Sequence, residues 1–434
     1  MTALLICSFA APLLAATPVY KTDGPHARWW AIAAAAIALA CSISSAASGM
    51  ETYSAIPMLL FSSVALITFA SAPPRDVQSP PLAGMLLIFG GTMAAYAAPS
   101  LTLYFAAWTI TVAPFFSNCF QTLNPTPLWS RPRIALALGA LLLGTAAILE
   151  TTGTDGRWIF VLLMFAALVK KGAFPFHAWV SSAFESGPPQ APALLFNGHL
   201  GAFLIIRFAI PRYSEVAREA LPWMAAIALF TAIYASFTAF AETKPRRILA
   251  LLTVSQASFI LAGIQNRNEA GITGALLHWI VVALASTGLV AAYRAIEVRY
   301  ATVENPHGFL GLGARVPRLA VLFGMCGLAL VGIPGTLGFL AEDLLFHGAL
   351  QSNPWLGLAL PVATACNAIT ILRLLSTLFL GRAPSAVSPV PDAFPRERWP
   401  LTAAVAALVV FGLLPSAPIA LRAPAAAALA KILE

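Results

Sequence analysis

Long apolar segments separated by short polar or Pro/Gly-rich stretches fill nearly the whole chain. Each has 17 to 30 residues, enough for a membrane-spanning helix, and none alternates as a β-barrel strand does. This pattern predicts an all-α polytopic membrane protein with about 14 transmembrane helices. The fourteen segments lie at 2–18, 28–47, 53–72, 82–98, 100–119, 132–150, 157–184, 190–209, 221–241, 247–264, 270–293, 318–347, 354–381 and 400–420.

Composition supports the same class of protein. Of the 434 residues, 59% are hydrophobic and 10% are charged, whereas a soluble domain has about 25% charged residues. A soluble enzyme, a nucleic-acid-binding domain and a disordered chain are therefore excluded. The net charge of +8 fits Lys and Arg in cytoplasmic loops, so the lipid bilayer is the expected partner and nucleic acid is not.

The distribution of Lys and Arg also predicts the orientation of the chain. If the segments alternate across the membrane, one side receives most of these residues, and that side is cytoplasmic by the positive-inside rule. Both termini are then expected on the non-cytoplasmic side of a bacterial-type inner membrane. The chain has no dinucleotide or P-loop motif, and its five cysteines stand singly, so neither a cofactor nor a metal site is expected.

Two segments carry breaks near their centres. The seventh contains the sequence from Lys170 to Pro175, and the twelfth contains Gly332 to Gly335. Proline inside a helix removes a hydrogen bond and clashes with the preceding turn, so both helices should be interrupted. The breaks lie five segments apart, which is typical of inverted repeats. The predicted parts are helices 1–3 (1–80), a first five-helix repeat of helices 4–8 (81–210), a second repeat of helices 9–13 (211–385), and helix 14 with a tail (386–434).

Few titratable residues fall inside the apolar segments. A charge at the bilayer centre costs about 2.5–3.5 kcal/mol, so such residues are functional candidates. Lys170 lies beside the first break, and Glu342 follows the second. His199 and His278 suit either a proton relay or ordinary hydrogen-bonded packing, and both readings stay open. Lys171 is expected to point away from Lys170 and to be structural.

Several motifs resemble one family of membrane subunits. The stretch from Lys170 to Trp179, with the Pro-rich run after it, resembles the signature KSAQxPFHxWLPxAMxxPTPVSALLH. That signature marks the antiporter-like subunits of respiratory complex I, and Mrp-type antiporters, membrane-bound hydrogenases and inorganic-carbon uptake complexes share it. Further resemblances, in the family's order, lie at 151–154, 243–256, 332–339 and 373–381.

The resemblance implies a fold with fourteen helices, of which the seventh and twelfth are broken, and ion transfer by titratable residues at mid-membrane. Lys170 corresponds to the lysine of the signature. His278 corresponds to the histidine of the family's HAxxK motif, and Glu342 to a Lys or Glu on helix twelve. Arg246 takes the place of a lysine in the helix-ten motif.

The chain also departs from the family pattern at charged positions. Thr109 stands where the family has the glutamate that pairs with the helix-seven lysine. Val282 replaces the lysine of HAxxK, and Phe196 aligns with the helix-eight histidine, although His199 follows three residues later on roughly the same helix face. The usual lysine–glutamate switch therefore cannot operate in its ordinary form.

Three functional hypotheses follow. The first is a proton- or cation/proton-translocating antiporter-like subunit of a larger complex, with Lys170, His199, His278, Glu342 and Arg246 as site residues. The second is a subunit that energises inorganic-carbon uptake with a large, peripheral, zinc-containing partner. The third is a scaffold that has lost conduction. In each case the partners are other membrane subunits, with H⁺ and in some cases Na⁺ as the transported ion, and the chain alone is not expected to be an enzyme.

Overall fold

A computed structural model describes residues 2–22, 24–117, 119–120, 130–300, 309–352, 354–382 and 391–434. Within these ranges the chain is helical and contains no strand. The helices of the first half are α1 (Thr2–Lys21), α2 (Pro25–Ala47), α3 (Thr52–Ser71), α4 (Pro81–Ala97), α5 (Leu101–Phe116), α6 (Arg131–Thr151), α7 (Gly156–Lys170), α8 (Ala178–Glu185), α9 (Gln190–Asn197), α10 (Leu200–Leu204) and α11 (Ile210–Arg212).

Longer helices make up most of the second half. They are α12 (Ser214–Ala241), α13 (Pro245–Ile264), α14 (Glu269–Tyr300), α15 (Pro317–Leu330), α16 (Leu337–Ser352), α17 (Pro354–Phe379), α18 (Pro395–Leu413) and α19 (Ser416–Leu433). In the described part of the chain, ten stretches are long and apolar enough to cross a membrane, and α4, α5 and α15 are shorter apolar helices. The chain is therefore a multi-pass membrane protein, as the sequence predicts.

Both predicted interruptions are present, and both have the same backbone geometry. At the end of α7, Gly172 has φ +61°, and the amide of Ala173 donates to the carbonyl of Leu168 at 2.9 Å. At the end of α15, Gly332 has φ +71°, and the amide of Ile333 donates in the same way at 3.0 Å. A left-handed glycine followed by this six-to-one bond ends a helix, so each break is encoded locally.

Helix α14 forms the axis of the bundle. It packs against α13, α15, α16, α18 and α19, and also reaches α3 and α9 in the first half of the chain. The 18 consecutive residues that form the most apolar part of this helix are all buried. The candidate side chains on α14 therefore lie in the protein interior and not against lipid.

The C-terminal region differs from the prediction of a fourteenth segment at 400–420 with a tail. Helix α18 ends at Leu413, and a separate helix, α19, follows. The carbonyl of Ala425 accepts a hydrogen bond from Tyr53 at 2.8 Å, and that of Ile432 accepts one from Arg218 at 3.1 Å. Tyr53 and Arg218 begin α3 and α12, so α19 lies across that end of the bundle. The predicted boundary at 386 falls outside the described residues.

Gly274 permits a close approach of α14 to α16. A Cβ atom at this position would lie 2.6 Å from the amide nitrogen of Leu345 and 2.9 Å from the carbonyl oxygen of Ala341. Both are backbone atoms, so Gly274→Ala is expected to force the helices apart and to lower the free energy of unfolding by about 1–3 kcal/mol. Unfolding of the detergent-purified protein by heat or denaturant measures this loss.

Gly139→Ala is the matched control for this prediction. Gly139 is also helical, but its Cβ would meet no atom closer than 3.5 Å, a side-chain carbon of Val169. Alanine favours helix over glycine by up to about 1 kcal/mol, so this variant should be as stable as the wild type or more so. Equal stability of the Gly274 and Gly139 variants would contradict the close-packing argument.

Candidate functional site

Lys170 is the last residue of α7 and is held by helix α5. Its Nζ donates to the hydroxyl of Thr111 at 3.1 Å and lies 4.5 Å from the centre of the Trp108 ring. Thr109, which stands in place of the family's glutamate, bonds instead to the carbonyl of Ala106 at 2.7 Å. Among the described residues Lys170 has no ion-pair partner, so a hydroxyl and an aromatic face replace the usual carboxylate.

Lys171 is as deeply buried as its neighbour and makes a contact that sequence reasoning missed. Its Nζ forms a hydrogen bond with Nδ1 of His199 and lies 4.7 Å from the centre of the Phe196 ring. The aliphatic stem of Lys171 packs against Gly201, where a Cβ atom would come within 2.8 Å of its Cγ. The prediction that Lys171 points away from Lys170 agrees with this geometry, but it does not anticipate the partner.

His199 lies at a third interruption, in the segment predicted as one helix at 190–209. Helix α9 ends at Asn197 and α10 begins at Leu200, while His199 has φ +43°, a left-handed value that is uncommon outside glycine. Two tyrosines satisfy carbonyls beside this break: Tyr96 donates to Gly198, and Tyr104 donates to Leu200 at 2.6 Å. The break therefore aims the His199 ring towards Lys171.

His278 lies on the buried axis α14. Its Nε2 is 2.8 Å from Oε1 of Gln256 on α13, and its Nδ1 has no hydrogen-bond partner among the described residues. The ring of His199 lies 5.4 Å from that of Trp279, the next residue along α14. The two histidines are thus on adjoining elements, and Val282, where the family has a lysine, is a buried aliphatic residue.

Glu342 lies over the second interruption. Its Oε2 accepts a hydrogen bond from Thr364 at 3.0 Å and would be 2.8 Å from a Cβ atom at Gly332, so the left-handed glycine makes room for the carboxylate. Glu342 also lies near Gln256, but neither Nε2 of Gln256 nor Oε1 of Glu342 has a hydrogen-bond partner among the described residues. Glu342 lines a cavity of about 220 Å³. Asp343, by contrast, is half exposed and faces His347 at 3.4 Å.

Arg246 occupies a different place, in the first turn of α13. It forms a bidentate ion pair with Glu297, at 2.6 and 2.8 Å, and donates to the carbonyl of Gly187 at 2.7 Å. Glu297 also binds Arg294, which in turn holds Asp76 through bonds of 2.7 and 2.8 Å. Arg246 thus belongs to an ion cluster at one end of the bundle, about 15 Å along the helix from Gln256.

The structure therefore brings together most of the sequence candidates, with two additions. Lys171 contacts His199, Gln256 contacts His278, and Glu342 lies near Gln256 without a hydrogen bond to it. Gln256 is the largest of several buried polar residues in the middle of α13, and it closes the motif at 243–256, which was the available signal for it. Lys170 lies beside this group of side chains, next to Lys171 in sequence. Arg246 is outside it, in the ion cluster at one end of the bundle.

Comparison with known proteins agrees with this architecture. The family model described as "NADH:quinone oxidoreductase/Mrp antiporter, TM" matches residues 130–367. The NAD(P)H-quinone oxidoreductase chain 4 of Gloeobacter violaceus is 26% identical, over 80% of this chain and 66% of its own length. Subunit M of the NADH-quinone oxidoreductase of Rickettsia felis is 25% identical, over 76% of this chain and 64% of its own length. The chain thus matches about two thirds of the length of these relatives.

Solved structures share the fold. A chain of respiratory complex I from Thermus thermophilus superposes with a TM-score of 0.88 at 21% identity, covering 99% of this chain and 100% of that one. A chain of the Mrp complex from Dietzia sp. DQ12-45-1b gives 0.83 at 19% identity, with both chains fully covered. Because the family model matches more than half of the sequence, this chain belongs to the NADH:quinone oxidoreductase/Mrp antiporter family of membrane subunits.

Proposed function

We propose that the chain translocates protons, or exchanges them for a cation, as an antiporter-like subunit of a multi-subunit membrane complex. The observation that carries the proposal is the position of two titratable groups beside the buried amide of Gln256. Its carbonyl oxygen lies 2.8 Å from Nε2 of His278, and Glu342 lies near the same side chain, although Nε2 of Gln256 has no hydrogen-bond partner among the described residues. Titratable groups on α14 and α16 thus lie close to one buried amide.

The proposed relay starts in the first half of the chain, at Lys170 and His199, and passes to His278 and then Glu342. Both histidines are fully buried and each keeps one ring nitrogen without a hydrogen-bond partner in the described structure, so each can accept or release a proton there. An amide neither gains nor loses a proton at neutral pH, and Gln256 therefore orients His278 instead of transferring the proton itself.

Glu342 is the proposed point of exchange with water. One of its oxygens is bound to Thr364 and the other has no hydrogen-bond partner among the described residues. The cavity beside it, about 220 Å³ in volume, has room for several water molecules. A carboxylate at such a boundary can take a proton from His278 and release it to the cavity, or the reverse.

Arg246 is proposed to hold neighbouring elements in place and not to transfer a proton itself. Its ion pair with Glu297 and its bond to Gly187 tie the start of α13 to the end of α14 and to the loop after α8. In the alternating arrangement expected from the sequence, this end of the bundle carries most of the Lys and Arg residues, and we propose that it faces the cytoplasm. The proposed transported ion is H⁺, with Na⁺ as the alternative. The proposed partners are neighbouring membrane subunits and, for the role in inorganic-carbon uptake, a large peripheral subunit.

Purification of the complex through a tag on this chain tests the proposal. Other membrane subunits should co-purify, and proteoliposomes holding the complex should take up protons under an imposed potassium diffusion potential, as measured with a pH-sensitive dye inside the vesicles. Uptake no faster than in empty liposomes would contradict translocation and favour the scaffold hypothesis. Co-purification of a zinc-containing soluble protein would favour the role in inorganic-carbon uptake.

A further inference from the structure

Lys171 and His199 form a pair of basic groups in the protein interior. Their side chains contact each other through Nζ and Nδ1, and their exposed fractions are 1% and 0%. The contact joins the break after α7 to the break before α10. Neither residue has an ion-pair partner in the described part of the chain. If both side chains were protonated, no carboxylate there would offset their two positive charges.

Other titratable groups lie on the helices around the pair, and none of those in the described structure is a carboxylate. They are Tyr96 and Tyr104 on α4 and α5, His278 on α14, and Lys170, which ends α7 directly before Lys171 but is bonded to α5. Both tyrosine hydroxyls donate to backbone carbonyls at the His199 break. Two bases in direct contact, without a carboxylate, hold one shared proton far more readily than two.

Lys170 is less suited than Lys171 to share a proton with His199. Its Nζ is bonded to Thr111 and lies over Trp108, which places it against α5 and away from His199. Thr111 already donates to the carbonyl of Trp108 at 2.7 Å, so its hydroxyl accepts from Lys170 but offers it no proton. Lys171 is the member of the lysine pair that contacts another titratable group.

We propose that the Lys171–His199 pair is the proton store of the first half of the chain, in place of a lysine–carboxylate pair. The inference deepens the proposed translocation and rests on it. It adds Lys171, which the sequence marked as structural, to the residues that handle the proton, and it gives His199 a defined partner.

The hydrogen-bond geometry decides which atom exchanges the proton. In the loaded pair one proton lies between Nζ and Nδ1, and a second hydrogen sits on Nε2 of the ring. Nδ1 is occupied by Lys171, so release occurs from Nε2, which has no hydrogen-bond partner among the described residues. Release leaves a neutral imidazole whose Nδ1–H is bonded to a neutral amine, and uptake of a proton at Nε2 restores the loaded pair.

The test compares proton flux in proteoliposomes holding the tagged complex with wild-type or substituted chain. Lys171→Gln keeps a polar side chain but cannot bind the proton. His199→Asn places an amide near the position of Nδ1, so it preserves a hydrogen bond to Lys171 without a titratable ring. Each is expected to lower the initial flux about 100-fold, the typical contribution of one acid–base group. Lys171→Arg keeps the donor but stays charged, and should lose flux equally.

Exposed residues of the same types serve as controls. His347→Asn and Lys431→Gln lie at the protein surface and should conduct as the wild type does. Wild-type flux in His199→Asn or in both Lys171 variants would overturn the inference, as would loss of flux in Lys170→Gln alone. Absence of flux in the wild-type complex would overturn the proposed translocation as well, so the two failures are distinguishable. Recovery of each variant within the complex confirms that it folds.

Discussion

Glu342→Gln is expected to lower proton flux through the complex about 100-fold. Glutamine has nearly the same shape and keeps an oxygen that can accept the 3.0 Å hydrogen bond from Thr364, so the fold around Gly332 should persist. The amide cannot take up or release a proton, so a proton that leaves His278 has no acceptor beside the cavity. Dye-monitored uptake in proteoliposomes under an imposed potential measures the effect.

Asp343→Asn is the matched control because it changes the neighbouring carboxylate by the same chemistry. Asp343 is half exposed and faces His347 at 3.4 Å, at the protein surface. Its variant should conduct within about twofold of the wild type, the margin expected when an exposed ion pair worth under about 1 kcal/mol is lost. If both variants lost flux equally, either carboxylate on this part of α16 would matter for flux. The specific role assigned to Glu342 would then be wrong.

Asp76→Asn is expected to reduce the free energy of unfolding by about 3 kcal/mol. Asp76 is 4% exposed and holds Arg294 through two bonds of 2.7 and 2.8 Å, while Gln190 donates to the same carboxylate at 3.0 Å. Without the negative charge, Arg294 keeps only Glu297, which it shares with Arg246. Breaking one side of a buried ion pair leaves a desolvated charge uncompensated, and that is the source of the loss.

Denaturant unfolding of the purified protein measures this effect, with Glu51→Gln as the reference. Glu51 pairs with Arg207 at 3.0 Å, but both side chains are substantially exposed, so its loss should cost less than about 1 kcal/mol. A similar small cost at Asp76 would mean that the ion cluster adds little to stability. It would also weaken the positional role proposed for Arg246.

The interruptions at Gly172 and Gly332 were predictable because their causes are local. Each has a glycine that adopts a positive φ and a proline that follows within three residues. The break at His199 lacks a proline in that position, and its left-handed conformation is adopted by a residue that rarely takes it. Tertiary contacts from Tyr96 and Tyr104 satisfy the carbonyls there, and a single sequence gives no sign of such contacts.

The types of residue in the candidate site could be predicted from the sequence, but the contacts between their side chains could not. Titratable residues within apolar segments identified Lys170, His278 and Glu342, because such residues are costly in a membrane. The partner of each depends on the direction in which a helix end turns. The turn at Gly172 sends the adjacent lysines to different helices, Lys170 to α5 and Lys171 to His199. The division into inverted repeats stays a prediction.

The length of α14 has a consequence for how the protein responds to its bilayer. At 32 residues the helix is about 48 Å long, well beyond the ~30 Å hydrocarbon core. A lipid-facing helix of that length would tilt to reduce hydrophobic mismatch, but α14 is packed within the protein. Membranes of different thickness should therefore tilt the outer helices, while the axis that carries His278 keeps its angle.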